Sequence, residues 1–150
     1  MPPFLTHLTF DCIFNQDISN LPYSLTHLKL GYSFNQQSNF HPNIKYLKLN
    51  CNISHIINSL PNSIAELELD YHFNLPMNDL PTSIKKIIIC KNSNYNVDLN
   101  CLPDFVEELE LNQHYKKRIL NIPSNLKKII CYVYYPHIND FVKYDVITYI

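Results

Sequence analysis

The stretch LPYSLTHLKLGYSFNQ, residues 21–36, contains the unit that decides the fold. A proline is followed by two variable residues and then by three apolar residues spaced Φ-x-x-Φ-x-Φ, here Leu25, Leu28 and Leu30. The last part of this triplet alternates apolar and variable residues, which is typical of a β-strand with one buried face. The unit therefore predicts a short strand whose apolar side chains point inward.

The same triplet occurs along almost the whole chain. First residues of successive triplets are 20, 19, 20, 20, 22 and 20 residues apart. The copies are Leu5/Leu8/Phe10, Leu25/Leu28/Leu30, Ile44/Leu47/Leu49, Ile64/Leu67/Leu69, Ile84/Ile87/Ile89, Val106/Leu109/Leu111 and Leu126/Ile129/Cys131. Repeats of this length indicate a solenoid, in which each unit buries its apolar side against its neighbours. The strands must be parallel, because each unit makes a full turn in the same sense.

A second landmark keeps the same period. A large apolar or aromatic residue follows each of the first six triplets, and a proline comes eight residues after it. The large residues are Phe14, Phe34, Ile53, Phe73, Tyr95 and Tyr115, which we expect to stack as a core spine. Between the landmarks the chain is short and polar, so we expect irregular or 3₁₀ backbone on the convex side. Inward-facing residues are expected there at Ile18, Ile57, Met77, Leu99 and Ile119.

Three segments connect this unit with a known family. FNQD at residues 14–17, FNQQ at residues 34–37 and FNLP at residues 73–76 resemble the FNIP repeat, a relative of the leucine-rich repeat. The resemblance covers roughly residues 2–131. It implies a leucine-rich-repeat-like solenoid of seven coils with a parallel β-sheet on one side and little or no α-helix. Such proteins are found in social amoebae and in giant viruses of amoebae, often behind an F-box.

Asparagine is expected to carry out two tasks in this solenoid. The chain has 19 asparagines and one glycine, so we expect Asn to supply the left-handed backbone of turns. The asparagines that follow the aromatic residue are expected to bond the backbone of adjacent coils: Asn15, Asn35, Asn74 and Asn96. A single glycine also excludes glycine-rich phosphate-binding loops.

The chain is expected to form one domain. Residues 1–131 make up the seven-repeat array. Residues 132–150 lack the repeat signature, and we interpret them as a C-terminal cap that contains a strand. Val142, Tyr144, Val146 and Ile150 are predicted to share one face of that strand.

Composition limits the location and the class of partner. Net charge is −1 from 12 basic and 13 acidic residues, so nothing attracts the whole chain to nucleic acid. There is no run of 18 apolar residues and no secretory signal, so we expect no membrane partner. The five cysteines form no CxxC pair, and we expect reduced thiols and an intracellular location. No cofactor is expected.

The variable positions of the strands form the candidate site. They point away from the core, and residues at equivalent positions of adjacent strands lie about 4.8 Å apart. We predict that a protein partner of unknown identity binds there. The predicted partner-binding residues are His7, Thr9, His27, Lys29, Tyr46, Lys48, Glu66, Glu68, Lys86 and Ile88. The first three strands make a mildly basic, aromatic-containing patch suited to an acidic or aromatic-bearing peptide.

A competing interpretation is that the charges on this face pair with each other. Glu66 is expected between Tyr46 and Lys86, and Glu108 between Lys86 and Lys128. Such lateral ladders would set the register of the strands and keep the protein in solution, each exposed pair contributing roughly 0–1 kcal/mol.

Catalysis has little support in the sequence. His7 and His27 occupy equivalent positions, but Tyr46 stands where a third metal ligand would be needed. We therefore predict a non-catalytic interaction scaffold with no metal. Recruitment of substrates for ubiquitin ligation is a further role that the resemblance implies. The alternatives are a self-assembling protein that associates through the uncapped ends of the solenoid, and a hydrolase site in the convex loops.

Overall fold

The computed structural model describes residues 2–37, 39–51 and 54–149. It contains one sheet of eight parallel strands in chain order. The strands are β1 (His7–Thr9), β2 (His27–Leu30), β3 (Tyr46–Leu49), β4 (Glu66–Leu69), β5 (Lys86–Ile89), β6 (Glu108–Glu110), β7 (Lys128–Tyr132) and β8 (Asp145–Tyr149). The predicted fold class is confirmed, and β8 extends the sheet beyond the seven repeats.

Helical structure is confined to two short segments within the described residues. They are α1 (Ser54–Asn58) and a 3₁₀ helix (Ile138–Phe141). The other return segments have turns and irregular backbone, as the short and polar sequence predicts.

The strands align so that each apolar triplet stacks on the next. Leu28 pairs with Leu47, and Leu47 pairs with Leu67, and all three side chains are fully buried. The five residues predicted to point inward from the return segments are buried as well: Ile18, Ile57, Met77, Leu99 and Ile119. One continuous core therefore runs the length of the solenoid.

The aromatic spine forms as predicted. Phe34, Phe73, Tyr95 and Tyr115 are buried, and Phe14 packs against the core from the first coil. The rings of Phe73 and Tyr95 have centroids 6.1 Å apart and are stacked. Ile53 lies outside the described residues. Where tyrosine replaces phenylalanine, the hydroxyl needs an acceptor, and Tyr95 donates to the backbone carbonyl of Leu75 at 3.2 Å.

Each strand is preceded by a tight turn. The N–H of the first apolar residue of the triplet donates to the carbonyl three residues earlier, for example from Leu25 to Pro22 at 3.0 Å. In the third coil the acceptor is His41, so Pro42 has moved one position along while the turn stays the same. The residue missing from the one spacing of 19 therefore lies in the return segment between Phe34 and His41.

Serines in these turns link consecutive coils, a role that sequence reasoning missed. The Ser63 hydroxyl donates to the carbonyl of Ile44 at 2.7 Å, and the Ser83 hydroxyl donates to the carbonyl of Ile64 at 2.7 Å. Ser24 donates to the carbonyl of Leu5 in the same way. The repeated Pro-x-Ser tripeptide was the available signal.

Asparagine fulfils one of its two predicted tasks at Asn15 and Asn96. Asn15 Oδ1 accepts from the N–H of Asn35 at 2.8 Å, and Asn96 Oδ1 accepts from the N–H of Lys116 at 3.1 Å. Both bonds join adjacent coils. The expectation of left-handed asparagines is wrong, because Asp79 is the sole non-glycine residue with positive φ in the described part of the chain. The asparagines act through their side chains instead.

The C-terminal segment differs in detail from the prediction. Val142 is 79% exposed and Tyr144 is half-buried, because both precede β8 and lie just after the 3₁₀ helix. The side chain of Val146 and the whole of Ile150 lie outside the described residues. A bidentate ion pair, Arg118 Nε and Nη2 to Asp140 at 2.7 and 3.0 Å, joins this segment to the preceding coil. That residues 132–150 act as a cap remains a prediction.

The single glycine is required by close stacking of two coils. A Cβ at Gly31 would lie 1.9 Å from the backbone carbonyl oxygen of Asp11, a distance at which the backbone must move. Asn50 occupies the equivalent position of the next coil and carries a side chain without difficulty.

We predict that Gly31→Ala lowers the free energy of unfolding by about 2–3 kcal/mol, because overpacking a rigid backbone contact costs energy of this order. Urea unfolding followed by circular dichroism measures the change. Asn50→Ala is the matched control and should cost about 1 kcal/mol, for its lost bond to the N–H of His72. Equal losses in the two variants would contradict the role given to Gly31.

Candidate functional site

The predicted site residues lie in two rows that cross the outward face of the sheet. We call them the histidine row and the lysine row. The histidine row is His7, His27, Tyr46, Glu66, Lys86, Glu108 and Lys128 on β1 to β7. The lysine row is Thr9, Lys29, Lys48, Glu68, Ile88, Glu110 and Ile130 on the same strands. All ten predicted residues belong to one of these rows. Their role in binding remains a prediction.

Aromatic rings stack at the start of the histidine row. The rings of His7 and His27 lie 3.9 Å apart with planes inclined by 13°, and the ring of Tyr46 follows at 5.5 Å. Thr26 Oγ1 lies 2.8 Å from Nδ1 of His27, and Thr6 holds His7 in the same manner. Partial burial, together with the positive charge that His7 can carry, lowers the pKa of His27. The three rings thus form an ordered stack on the outward face.

The third strand contributes an internal polar network. The Tyr46 hydroxyl donates to Glu68 Oε2, and Lys48 Nζ lies 2.7 Å from Glu68 Oε1 and 2.9 Å from Asp70 Oδ2. Burial opposes the charge of Asp70, but hydrogen bonds from Lys48 and from the N–H of Tyr71 outweigh it and lower the carboxyl pKa. The positive charge of Lys48 is therefore already compensated by carboxylates within the protein. The basic patch predicted from the sequence is smaller than expected.

Lys29 is a cation of this region that stays available. Its side chain is exposed, and among the described residues it forms no ion pair. Its Nζ lies 5.9 Å from the centroid of the Tyr46 ring. Beside it, a cavity of about 280 Å³ opens between the ends of β1 to β4 and is bordered by Thr9, Cys12 and Asp70.

The predicted charge ladder is only partly formed. Glu66 pairs with Lys86 at 3.4 Å, as expected. Glu107, on an adjacent outward position, pairs with Lys85 at 3.4 Å and Lys127 at 2.7 Å. Glu108 lies between Lys86 and Lys128 as predicted, but the expected ion pair with either lysine does not form in the part of the chain that the structure describes.

The described residues offer no arrangement suited to metal chemistry. Within residues 2–37, 39–51 and 54–149, no group of three His, Cys, Asp or Glu side chains could hold a metal ion. The five thiols are free, and burial raises the pKa of Cys51 to about 11, which leaves it protonated. None of the helices that the structure describes combines the length and the apolar character needed to cross a membrane.

The repeated triplet and the parallel sheet define the chain as a leucine-rich-repeat-like solenoid. The family model described as FNIP Repeat matches residues 14–41 and 38–72. The chain is also similar to the crystal structure of CroV588, a giant-virus protein described as a novel circular LRR protein, with a TM-score of 0.70 and 32% identity. This match covers 89% of the present chain and 21% of CroV588, so the chain spans about a fifth of that relative. No curated protein sequence matches the chain. These matches confirm the resemblance of the chain to FNIP-repeat proteins of the leucine-rich-repeat-like type.

We predict that Lys48→Met lowers the free energy of unfolding by about 1–2 kcal/mol at pH 7, a value between those of exposed and buried ion pairs. Methionine keeps the apolar stem and removes the ammonium group. The pKa of Asp70 is lowered in the folded protein, so its stabilisation is present at neutral pH and is lost as pH falls through that pKa.

The difference between the two proteins should therefore shrink progressively when urea unfolding is repeated at decreasing pH down to about pH 2, nearly two units below the usual aspartate pKa. Lys127→Met is the control, since Lys127 is 71% exposed and its pair with Glu107 should matter much less. A loss at pH 7 that persists unchanged in acid would show that the pair with Asp70 is not the cause.

Proposed function

We propose that this chain is a non-catalytic protein-interaction scaffold that binds a partner through the outward face of its parallel sheet. Solenoids of the leucine-rich-repeat type generally act as interaction scaffolds, because their stacked units present an extended surface. The repeated residues are buried in the core, whereas the residues of the two outward rows differ from strand to strand.

The ordered stack of His7, His27 and Tyr46 beside the unpaired Lys29 carries this proposal. Rings that are already fixed lose little conformational entropy when a partner covers them. The amine of Lys29 supplies a charged hydrogen-bond donor to a carboxylate. The chemistry fits an acidic segment of a partner protein, lying over β1 to β3. The other predicted residues, Thr9, Lys48, Glu66, Glu68, Lys86 and Ile88, extend the same surface.

Recruitment of a substrate for ubiquitin ligation is a narrower form of this proposal. It is supported by the family resemblance alone, and the scaffold function does not depend on it. The intracellular location proposed from the reduced thiols would be compatible with it.

The test of the scaffold proposal uses phage-displayed 12-residue peptides selected against the whole protein. We expect the enriched peptides to contain Asp or Glu next to an aromatic residue. Lys29→Glu should weaken their binding at least about tenfold, because it places a negative charge under the peptide carboxylate. Fluorescence polarisation with synthetic versions of the peptides measures the affinity.

Lys117→Glu makes the same charge change on the return segment between β6 and β7 and is the matched control. It should leave the affinity within about twofold, as expected for a charge far from the interface. Selected peptides that bind both variants as tightly as the original protein would exclude the sheet face as the binding surface.

Self-association is a second candidate function. Within the described residues, β1 and β8 each pair along one edge only, and strands left with an open edge favour further pairing. A second copy placed head to tail would continue the parallel sheet. Sedimentation velocity should then show species larger than a monomer as the concentration rises to about 1 mM, the range of weak association. A single monomer species throughout would rule out this candidate.

A further inference from the structure

Two strands of the sheet have the same sequence and different surroundings. Glu66–Leu69 on β4 and residues 108–111 at β6 both read Glu-Leu-Glu-Leu. On β4 both carboxylates have partners, since Glu66 pairs with Lys86 and Glu68 pairs with Lys48. On β6 the carboxylate of neither Glu108 nor Glu110 forms an ion pair or a hydrogen bond with any described residue. The local sequence is the same, so the neighbouring strands cause the difference.

Those neighbours surround Glu110 with apolar side chains. The register places Glu110 between Ile88 of β5 and Ile130 of β7, and Ile147 of β8 follows Ile130. We call these four residues the isoleucine patch. Glu110, Ile88 and Ile130 are half-buried, and Ile147 is 39% exposed. Glu110 thus lies among apolar groups, whereas Glu68 has Lys48 at the corresponding place.

The charge of Glu110 is poorly compensated. Loss of water around it raises the carboxyl pKa, and the negative charge of Glu68 acts in the same direction. Lys86 and Lys128 act against this shift, although Lys86 is itself engaged by Glu66. A half-buried carboxylate without a partner gains most from a cation that arrives with its own apolar cover.

We propose that the isoleucine patch binds an arginine or lysine side chain of a partner protein, flanked in the partner by apolar residues. The cation pairs with the carboxylate of Glu110, and the flanking residues cover Ile88 and Ile130. This inference rests on the proposed use of the sheet face as a binding surface and defines a second subsite on it. Arginine suits such a position well, because its planar group forms two parallel bonds to a carboxylate.

The two subsites together determine the orientation in which a partner segment would lie across the sheet. Lys29 lies on β2 and Glu110 on β6, four strand intervals apart, which is about 19 Å at the usual strand spacing. An extended segment advances about 3.3 Å per residue, so acidic and cationic groups about six residues apart would reach both subsites. The acidic group lies toward β1 and the cationic group toward β8.

The probe for this proposal is the peptide acetyl-Asp-Asp-Gly-Ser-Gly-Leu-Arg-Leu-amide, titrated into the whole protein by isothermal calorimetry. Two further peptides replace Arg by Gln, or both Asp by Asn. With the original peptide, Glu110→Gln should raise the Kd at least about fivefold, which is the range expected for a charged pair at an interface. The Gln peptide should bind more weakly and should lose nothing further in that variant.

Glu108→Gln is the matched control, because it removes the same charge two residues away on the same strand, outside the isoleucine patch. It should change the Kd less than about twofold, in keeping with a screened neighbouring charge. Nuclear magnetic resonance of the carboxyl carbon gives an independent readout. The pKa of Glu110 should fall when the Arg peptide binds and should not fall with the Gln peptide.

The outcomes separate this proposal from the broader one. If Glu110→Gln still raises the Kd of the Asn peptide, and still raises the Kd when Lys29→Glu is also present, the cation subsite is supported even if the acidic subsite fails. No binding of the Arg peptide at millimolar concentration overturns the cation subsite, and so does an equal loss in Glu108→Gln. A Gln peptide that remains as sensitive to Glu110→Gln as the Arg peptide overturns it too.

Discussion

The structure depends on the parallel register of successive strands. Each coil must return to the sheet after about twenty residues with its apolar triplet directly over the previous one. A slip by one residue would turn every buried side chain outward and every outward side chain into the core. Turns, side-chain bonds between coils and the aromatic spine all serve this alignment. The contact between Gly31 and the carbonyl of Asp11 shows how little tolerance remains where two coils approach closely.

The same register also decides which side chains are neighbours on the outward face, so sequence differences between coils change the environment of each outward residue. Each outward residue meets the equivalent residue of the coil before and of the coil after. Glu68 meets Lys48 and becomes part of a polar network, whereas Glu110 meets two isoleucines and stays unpaired. The sequence of one strand alone does not distinguish the paired Glu68 from the unpaired Glu110. The property that matters for binding therefore belongs to pairs of neighbouring coils.

Periodicity explains why the sequence predicted so much of the fold. A side chain that recurs every twenty residues has one environment throughout, so the positions of Leu28, Phe34 and Met77 in the core could all be deduced together. The prediction was wrong where the repeat ends, and where a contact depends on side-chain positions that the repeat does not specify. Val142 was assigned to a strand because alternation alone cannot place a 3₁₀ helix and a turn. The availability of Lys48 was overestimated because its second partner, Asp70, lies just beyond the triplet.

This division between repeated and variable positions has a consequence for how such a surface changes. Substitutions in the outward rows leave the core untouched, so a charge there can be gained or lost at little cost to folding when its neighbours are exposed. Cost arises when the partner on the next coil is removed and a half-buried charge is left behind, as for Asp70 without Lys48. Glu110 is already in that state within its own sheet. The cost of partly burying the Glu110 carboxylate is not offset by an ion pair within the fold. A binding partner that supplies a cation would offset it, and this is the physical reason to expect a partner there.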